Sequence, residues 1–119
     1  MSYSTSIEIK ELKLSIPKYH FPLKSDVIIG HEFPEFKYQD DECSYNTHPF
    51  ESDDNNNDYV LSLKDFNCID TNSWFDEIES LVQQYKGTLI ADLVGEDSEV
   101  DYLRIRDGVK KNVKIVEED

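Results

Sequence analysis

The sequence predicts an α+β fold: an antiparallel sheet of about five to six strands with one main amphipathic helix, residues 73–86, packed on one face. Three observations lead there. Within Ser73–Lys86, Trp74, Phe75, Ile78, Leu81, Val82 and Tyr85 recur at the spacing that puts them on one helical face. The other apolar segments are short and alternate with a period of two, as half-buried strands do. The links between the last three of these are too short for the crossovers that parallel pairing needs.

Taken in order, residues 3–16 read as an extended strand. Ile7 and Ile9 alternate with Glu8 and Lys10, and then Leu12, Leu14 and Ile16 continue on the opposite parity. A one-residue slip near Lys10–Glu11 is the mark of a β-bulge. Pro17 and Pro22 end this strand, and Val27–Ile29 is a short β-branched run closed by Gly30. From Phe33 to Asp58 the periodicity stops, and Ser52–Asp58 is wholly polar, so a mobile acidic loop is expected at about 34–58. Tyr59–Leu63 resumes as a strand.

In the helix, Ser73 is placed to cap the first turn, Asp76, Glu77 and Glu79 favour the positive end of the dipole, and Lys86-Gly87 suits its end. Thr88–Val94, Val100–Arg106 and Lys111–Val116 should then form a meander. Its last hairpin has two possible registers. A two-residue Asp107-Gly108 turn pairs Tyr102 with Val113 and Val100 with Ile115. A three-residue loop pairs Leu103 with Ile115 and Ile105 with Val113. The second is favoured, because it buries the aliphatics and exposes Arg104 and Arg106.

The 119 residues suit a single domain spanning 1–119. Hydrophobic residues make up 38%, enough for a core despite a mean hydropathy of −0.63. Twelve basic against 26 acidic residues give a net charge of −14. That charge disfavours direct binding to nucleic acid, whose phosphates attract Lys and Arg, and to anionic membranes. It favours a basic protein surface, with fast and salt-sensitive association. Met1–Ser6 lacks the basic and apolar regions of a signal peptide and no stretch suits a spanning helix, so a cytoplasmic protein is expected. Cys43 and Cys68 are then expected as thiols, although spacing alone leaves a bridge open.

Motifs for catalysis and cofactors are thin. Asp54, Asn56 and Asp58 have calcium-loop spacing, but Tyr59 stands where the turn needs Gly and Asp65 where a bidentate Glu is usual. His31, Cys43, His48 and Cys68 are too scattered for a zinc pattern. Pairing Cys43 with His48 or His20 matches no nucleophile signature, and Asp92 with Glu96 is not distinguishable from a charged strand end. No metal, no cofactor and no enzymatic activity are expected.

Acidic display remains. Asp97, Glu99 and Asp101 alternate, which along an extended segment would put carboxylates about 6.6 Å apart on one side, a repeat similar to a phosphate backbone. A second concentration runs from Asp40, Asp41 and Glu42 through Asp53 and Asp54, with Tyr38, Tyr45 and Phe50 as aromatic anchors. The bland alternative is a solvated surface that maintains solubility, for which a net charge of about 2–8 suffices in a small domain. The expected partner-binding residues are Asp40, Asp41, Glu42, Tyr45, Asp53, Asp54, Glu96, Asp97, Glu99 and Asp101.

The amphipathic helix from Trp74, the strand opening at Gly87, Gly95-Glu96-Asp97, the Asp107-Gly108 hairpin and the start Ser2-Tyr3-Ser4-Thr5 resemble a class of small uncharacterised bacterial and phage proteins. By composition the chain is also similar to anti-CRISPR and other anti-defence inhibitors, and to immunity proteins. The small-protein class carries no established activity; the composition, with the acidic display, leads to the expectation of an acidic inhibitor of a basic, nucleic-acid-binding surface, such as that of a phage-defence or CRISPR nuclease, acting partly by nucleic-acid mimicry. The alternatives are an immunity or antitoxin protein capping a toxin, and a small metal-dependent hydrolase using its acidic loop.

Overall fold

The computed structural model describes residues 4–30, 32–71, 73–96 and 98–113. Nine strands and one α-helix follow in the order β1 (Thr5–Pro17), β2 (Ile28–Ile29), β3 (Glu35–Gln39), β4 (Tyr45–Pro49), β5 (Glu51–Asp53), β6 (Asp58–Asp70), α1 (Phe75–Gln84), β7 (Thr88–Val94), β8 (Val100–Arg106) and β9 (Val109–Val113). They form one sheet in the order β2-β3-β6-β1-β7-β8-β9, with β4 on β3 and β5 on β6. Every pairing is antiparallel. An antiparallel sheet with one α-helix was expected, but among the described residues the sheet has nine strands instead of five to six.

The additional strands come from the acidic segment. Residues 34–58, expected as an irregular loop, contain β3, β4 and β5. Phe36 and Tyr38 of β3 stack at 5.7 Å on one face. β4 pairs only with β3, and a strand with one neighbour needs little apolar patterning. Phe50, between β4 and β5, is 1% exposed and belongs to the core, so it is not a free aromatic anchor.

The backbone of the fold is β1 against β6, paired from Thr5↔Asp70 to Pro17↔Asp58. Against β7, β1 shifts register between Ile9 and Glu11, the expected bulge. The shift keeps Ile7, Ile9, Leu12, Leu14 and Ile16 buried on one side. β6 makes its own parity change near Asp65, whose φ is 51°, so that Leu61 and Leu63 share the core with Cys68. That change hid the second half of β6, which runs seven residues past the expected Leu63.

Helix α1 lies over this buried face with Phe75, Ile78, Leu81 and Val82 inward. It is two residues shorter at each end than expected. Ser73 has φ 62° and does not cap; Asp70 does, accepting from the Trp74 N–H at 3.0 Å and the Phe75 N–H at 3.4 Å. At the other end, Lys86 takes the left-handed conformation at φ 56°, and the Gly87 N–H reaches the Val82 carbonyl at 2.7 Å. This is a Schellman closure with lysine in the left-handed position. Gly87 is needed for room instead: a Cβ there would stand 2.4 Å from the Lys13 carbonyl oxygen.

The last hairpin corrects the favoured register. Arg106 pairs with Val109 and Tyr102 with Val113 around Asp107 (φ 53°) and Gly108 (φ 77°), a two-residue turn with both central residues left-handed. Leu103 and Ile105 are nevertheless buried. They pair with Ala91 and Leu89 of β7, on the face that α1 covers, while their β9 partners are Asn112 and Lys110. Burial comes from the layer above, so β9 did not have to match them. Residues 114–116 and the proposed Ile115 pairings lie outside the described residues, as does Tyr3.

No helix among the described residues is long and apolar enough to cross a membrane.

Candidate functional site

The sheet sorts the acidic residues by end. At the end where β1 begins, Gln39 pairs with Ile69 and Tyr45, Ser6 with Val94, and Val94 with Val100. The β3–β4 turn (40–44), the β6–α1 link (71–74) and the β7–β8 loop (95–99) therefore gather there. None of the three contains lysine or arginine, and together they carry Asp40, Asp41, Glu42, Glu96, Asp97 and Glu99. Asp101 follows on β8. Asp53 and Asp54 sit at the opposite end, where Asp53 pairs with Asp58 and Asp58 with Pro17. Strands β4 and β5 carry the chain between the two ends, so the expected single acidic loop is two turns. At about 3.3 Å per residue along β1 they are on the order of 40 Å apart.

In the β3–β4 turn, Asp40 is a structural acid. Its Oδ1 accepts from the backbone N–H groups of Ser44 and Glu42, both at 2.9 Å, and its Oδ2 from the Asn46 amide at 2.8 Å. The Ser44 N–H foremost, with the Glu42 N–H and Asn46 and against desolvation, holds the Asp40 carboxyl below the ordinary carboxylate value. Gln39, buried at 5% exposure, fixes the same turn: it accepts from the Thr71 hydroxyl at 2.8 Å and donates to the Cys43 carbonyl at 3.3 Å. Asp41 and Glu42 are thereby left exposed on a braced turn. Beside them Tyr45 is 58% exposed, with the Lys37 ammonium 4.5 Å from its ring centroid.

The β7–β8 loop is no extended ladder. The Gly95 N–H donates to the Glu99 carbonyl at 2.9 Å and the Ser98 N–H to the Gly95 carbonyl at 3.0 Å, with Ser98 at φ 69°. These hydrogen bonds close a turn between Gly95 and Glu99, and the expected Asp97, Glu99 and Asp101 repeat falls partly outside the described residues. Asp97 itself lies outside the described residues. Glu96 turns back to β1, accepting from the Ser4 N–H at 3.0 Å and the Ser4 hydroxyl at 2.9 Å. Asp101 shares its strand face with Leu103 and Ile105, on the side of α1. Together with Phe75, Asp76, Glu79, Leu93 and Leu103, and with Tyr102, Lys110 and Lys111 on its β8–β9 side, it lines a groove of about 330 Å³ between α1 and β8. Asp76 and Glu79 entered the sequence reading only as helix-dipole residues. Their three-residue spacing, which puts both on one flank of a helix, was the signal for them.

At the far end the acids are partnered. The Lys18 ammonium, followed by the Ser52 hydroxyl, holds the Asp54 carboxyl below its ordinary value. Asp53 accepts from the Asn55 N–H and the Asn56 amide. Asp92, in mid-sheet, is bridged by Lys10 at 3.5 Å and Arg104 at 3.3 Å, and it stands apart from Glu96. Cys43 and Cys68 are free thiols, the first exposed and the second buried. Among the described residues no three His, Cys, Asp or Glu side chains come together to hold a metal ion. His31, a candidate zinc ligand, lies outside them.

No family model matches the chain, and neither a curated protein nor a solved structure matches it.

Proposed function

We propose that the chain acts by binding rather than catalysis, and that its acidic end occupies a basic surface on a partner protein that otherwise holds nucleic acid. One observation carries this reading: three loops distant in sequence, all lacking lysine and arginine, converge at one end of the sheet. Solubility needs charge but not its segregation, and the far end mixes Lys18 and Lys86 with its acids. A concentrated field of one sign raises the encounter rate with a cationic surface. Exposed Asp41 and Glu42 present carboxylates where a nuclease or similar protein would meet phosphates, and Glu99 is exposed at the same end. Val94 and Val100, 37% and 43% exposed, add apolar contact at the same end.

The test is capture of host proteins on the immobilised chain at about 50 and 500 mM salt, followed by competition with DNA and RNA. A partner that is lost at high salt and displaced by nucleic acid is the expected result. Charge reversal of Asp41, Glu42 and Glu99 together should abolish that capture, whereas reversal of Asp53 and Asp54 should leave it. Equal capture by both variants would refute the proposal.

A further inference from the structure

The groove between α1 and β8 differs from the acidic turns because it has a floor. Phe75 and Leu103 are buried beneath it and Leu93 is half-buried, while Asp76 and Glu79 rise from α1 and Asp101 from β8. At the β3–β4 turn the acids stand beside Tyr38 and Phe66, which are only half-buried. A lysine or arginine side chain is amphipathic, with an apolar stem and a cationic head, and it is best held where apolar surface leads to carboxylates. The chain already places two such side chains here, Lys110 and Lys111 of β9. Lys110 of β9 extends to Glu79, with its Nζ 2.7 Å from Oε2, and the Glu79 side chain is only 19% exposed. Asp76 and Asp101 stay exposed, and among the described residues no ion pair reaches either.

Resting on the reading above, we infer that this groove receives a lysine or arginine side chain of the partner's basic surface. The stem lies on Phe75, Leu93 and Leu103, and the head meets Asp76 and Asp101. Contacts on the low-dielectric floor are stronger than those on an open turn, so one inserted side chain can anchor a surface that the turns only attract. Lys110 is the internal competitor, since it neutralises the third carboxylate of the same groove.

A hexapeptide of alternating arginine and glycine, blocked at both ends, is the probe, with the glutamate–glycine peptide as control. Titration of the ¹⁵N-labelled chain at low salt should shift the amides of residues 75–79, 93 and 101–103 to saturation, and the control peptide should shift none. Asp76→Asn with Asp101→Asn should weaken binding about five-fold, the scale of two half-exposed ion pairs. Glu32→Gln with Glu51→Gln, the same change in net charge, should leave it unaltered. Lys110→Met should tighten binding about two- to three-fold, and the equally charge-changing Lys24→Met should not. Saturable shifts confined to residues 40–44 and 95–99 would overturn the groove while leaving the acidic-end reading in place. No saturable shift anywhere would overturn both.

Discussion

Ile78→Ala tests whether α1 is part of the core or merely lies near it. Ile78 is 0% exposed and belongs to the same buried cluster as Leu12, Leu14 and Leu89 of the sheet. The substitution removes three buried carbon groups, about 2.4 kcal/mol at about 0.8 kcal/mol for each. A cavity closed by a rigid sheet adds roughly another 1–2 kcal/mol, since neighbours anchored in strands relax little. The total is about 3.4–4.4 kcal/mol. At roughly 4 °C per kcal/mol for a domain of this size, the melting temperature should fall by about 14–18 °C. Thermal unfolding followed by circular dichroism measures it, with the exposed Gln84→Ala as reference. A loss below about 1 kcal/mol would mean that the helix is not packed as described, and the groove between α1 and β8 would have no wall.

Two further outcomes follow from backbone and thiol positions. Gly87→Ala should destabilise by about 1–3 kcal/mol, because its Cβ would meet the Lys13 carbonyl at 2.4 Å, whereas Lys86→Gly should stabilise by up to about 1 kcal/mol by relieving a left-handed lysine at φ 56°; chemical denaturation of both variants would show opposite signs. Cys43 should react with a thiol reagent in the folded protein and Cys68 only on unfolding. Burial foremost, aided by Asp70 and Asp41, pushes the Cys68 thiol from 9.0 up to about 12. The unfolded chain therefore releases this proton at lower pH than the folded one. Stability should be intact below about pH 9 and decline as pH rises towards about 12. Replacing Cys68 by alanine should flatten that decline.

The elements with dense apolar periodicity were legible in the sequence. The parity change of Ile7–Ile9 against Leu12–Ile16 foretold the bulge in β1, and Phe75, Ile78, Leu81 and Val82 form the buried face of α1 as expected, while Trp74 and Tyr85 flank the helix half-buried. Strands β3 to β5 were not legible. Two of them are polar pieces needing one hydrogen-bonded neighbour rather than a buried face, and Phe50 was read as a surface anchor because acids flank it. The end of β6 was lost for a different reason: a left-handed Asp65 reverses the alternation midway. The hairpin register was not legible: the sequence favours the loop that buries Leu103 and Ile105 and exposes Arg104 and Arg106, but α1 covers both aliphatics in the two-residue register. For the site, the acids could be counted but not placed. That Asp53 and Asp54 belong at the far end follows from pairings distant in sequence, and that Asp40 is consumed by its own turn follows from local hydrogen bonds that the residue type alone does not dictate.

The pairing of β1 with β6 also sets an order of events. The segment between Pro17 and Asp58 must close as one loop before that ladder forms, at an entropic cost on the order of 3 kcal/mol. Strands β2 to β5 lie inside that loop, and β3 meets the rest of the sheet through Gln39↔Ile69 near the end of β6. During synthesis the acidic β3–β4 turn is therefore complete well before the strand that anchors it has been made. A nascent chain carries those carboxylates without the brace from Thr71, and it acquires the assembled acidic end only when β6, β7 and β8 have all emerged. Sheets dominated by contacts distant in sequence generally fold on the millisecond-to-second scale, slower than helical domains.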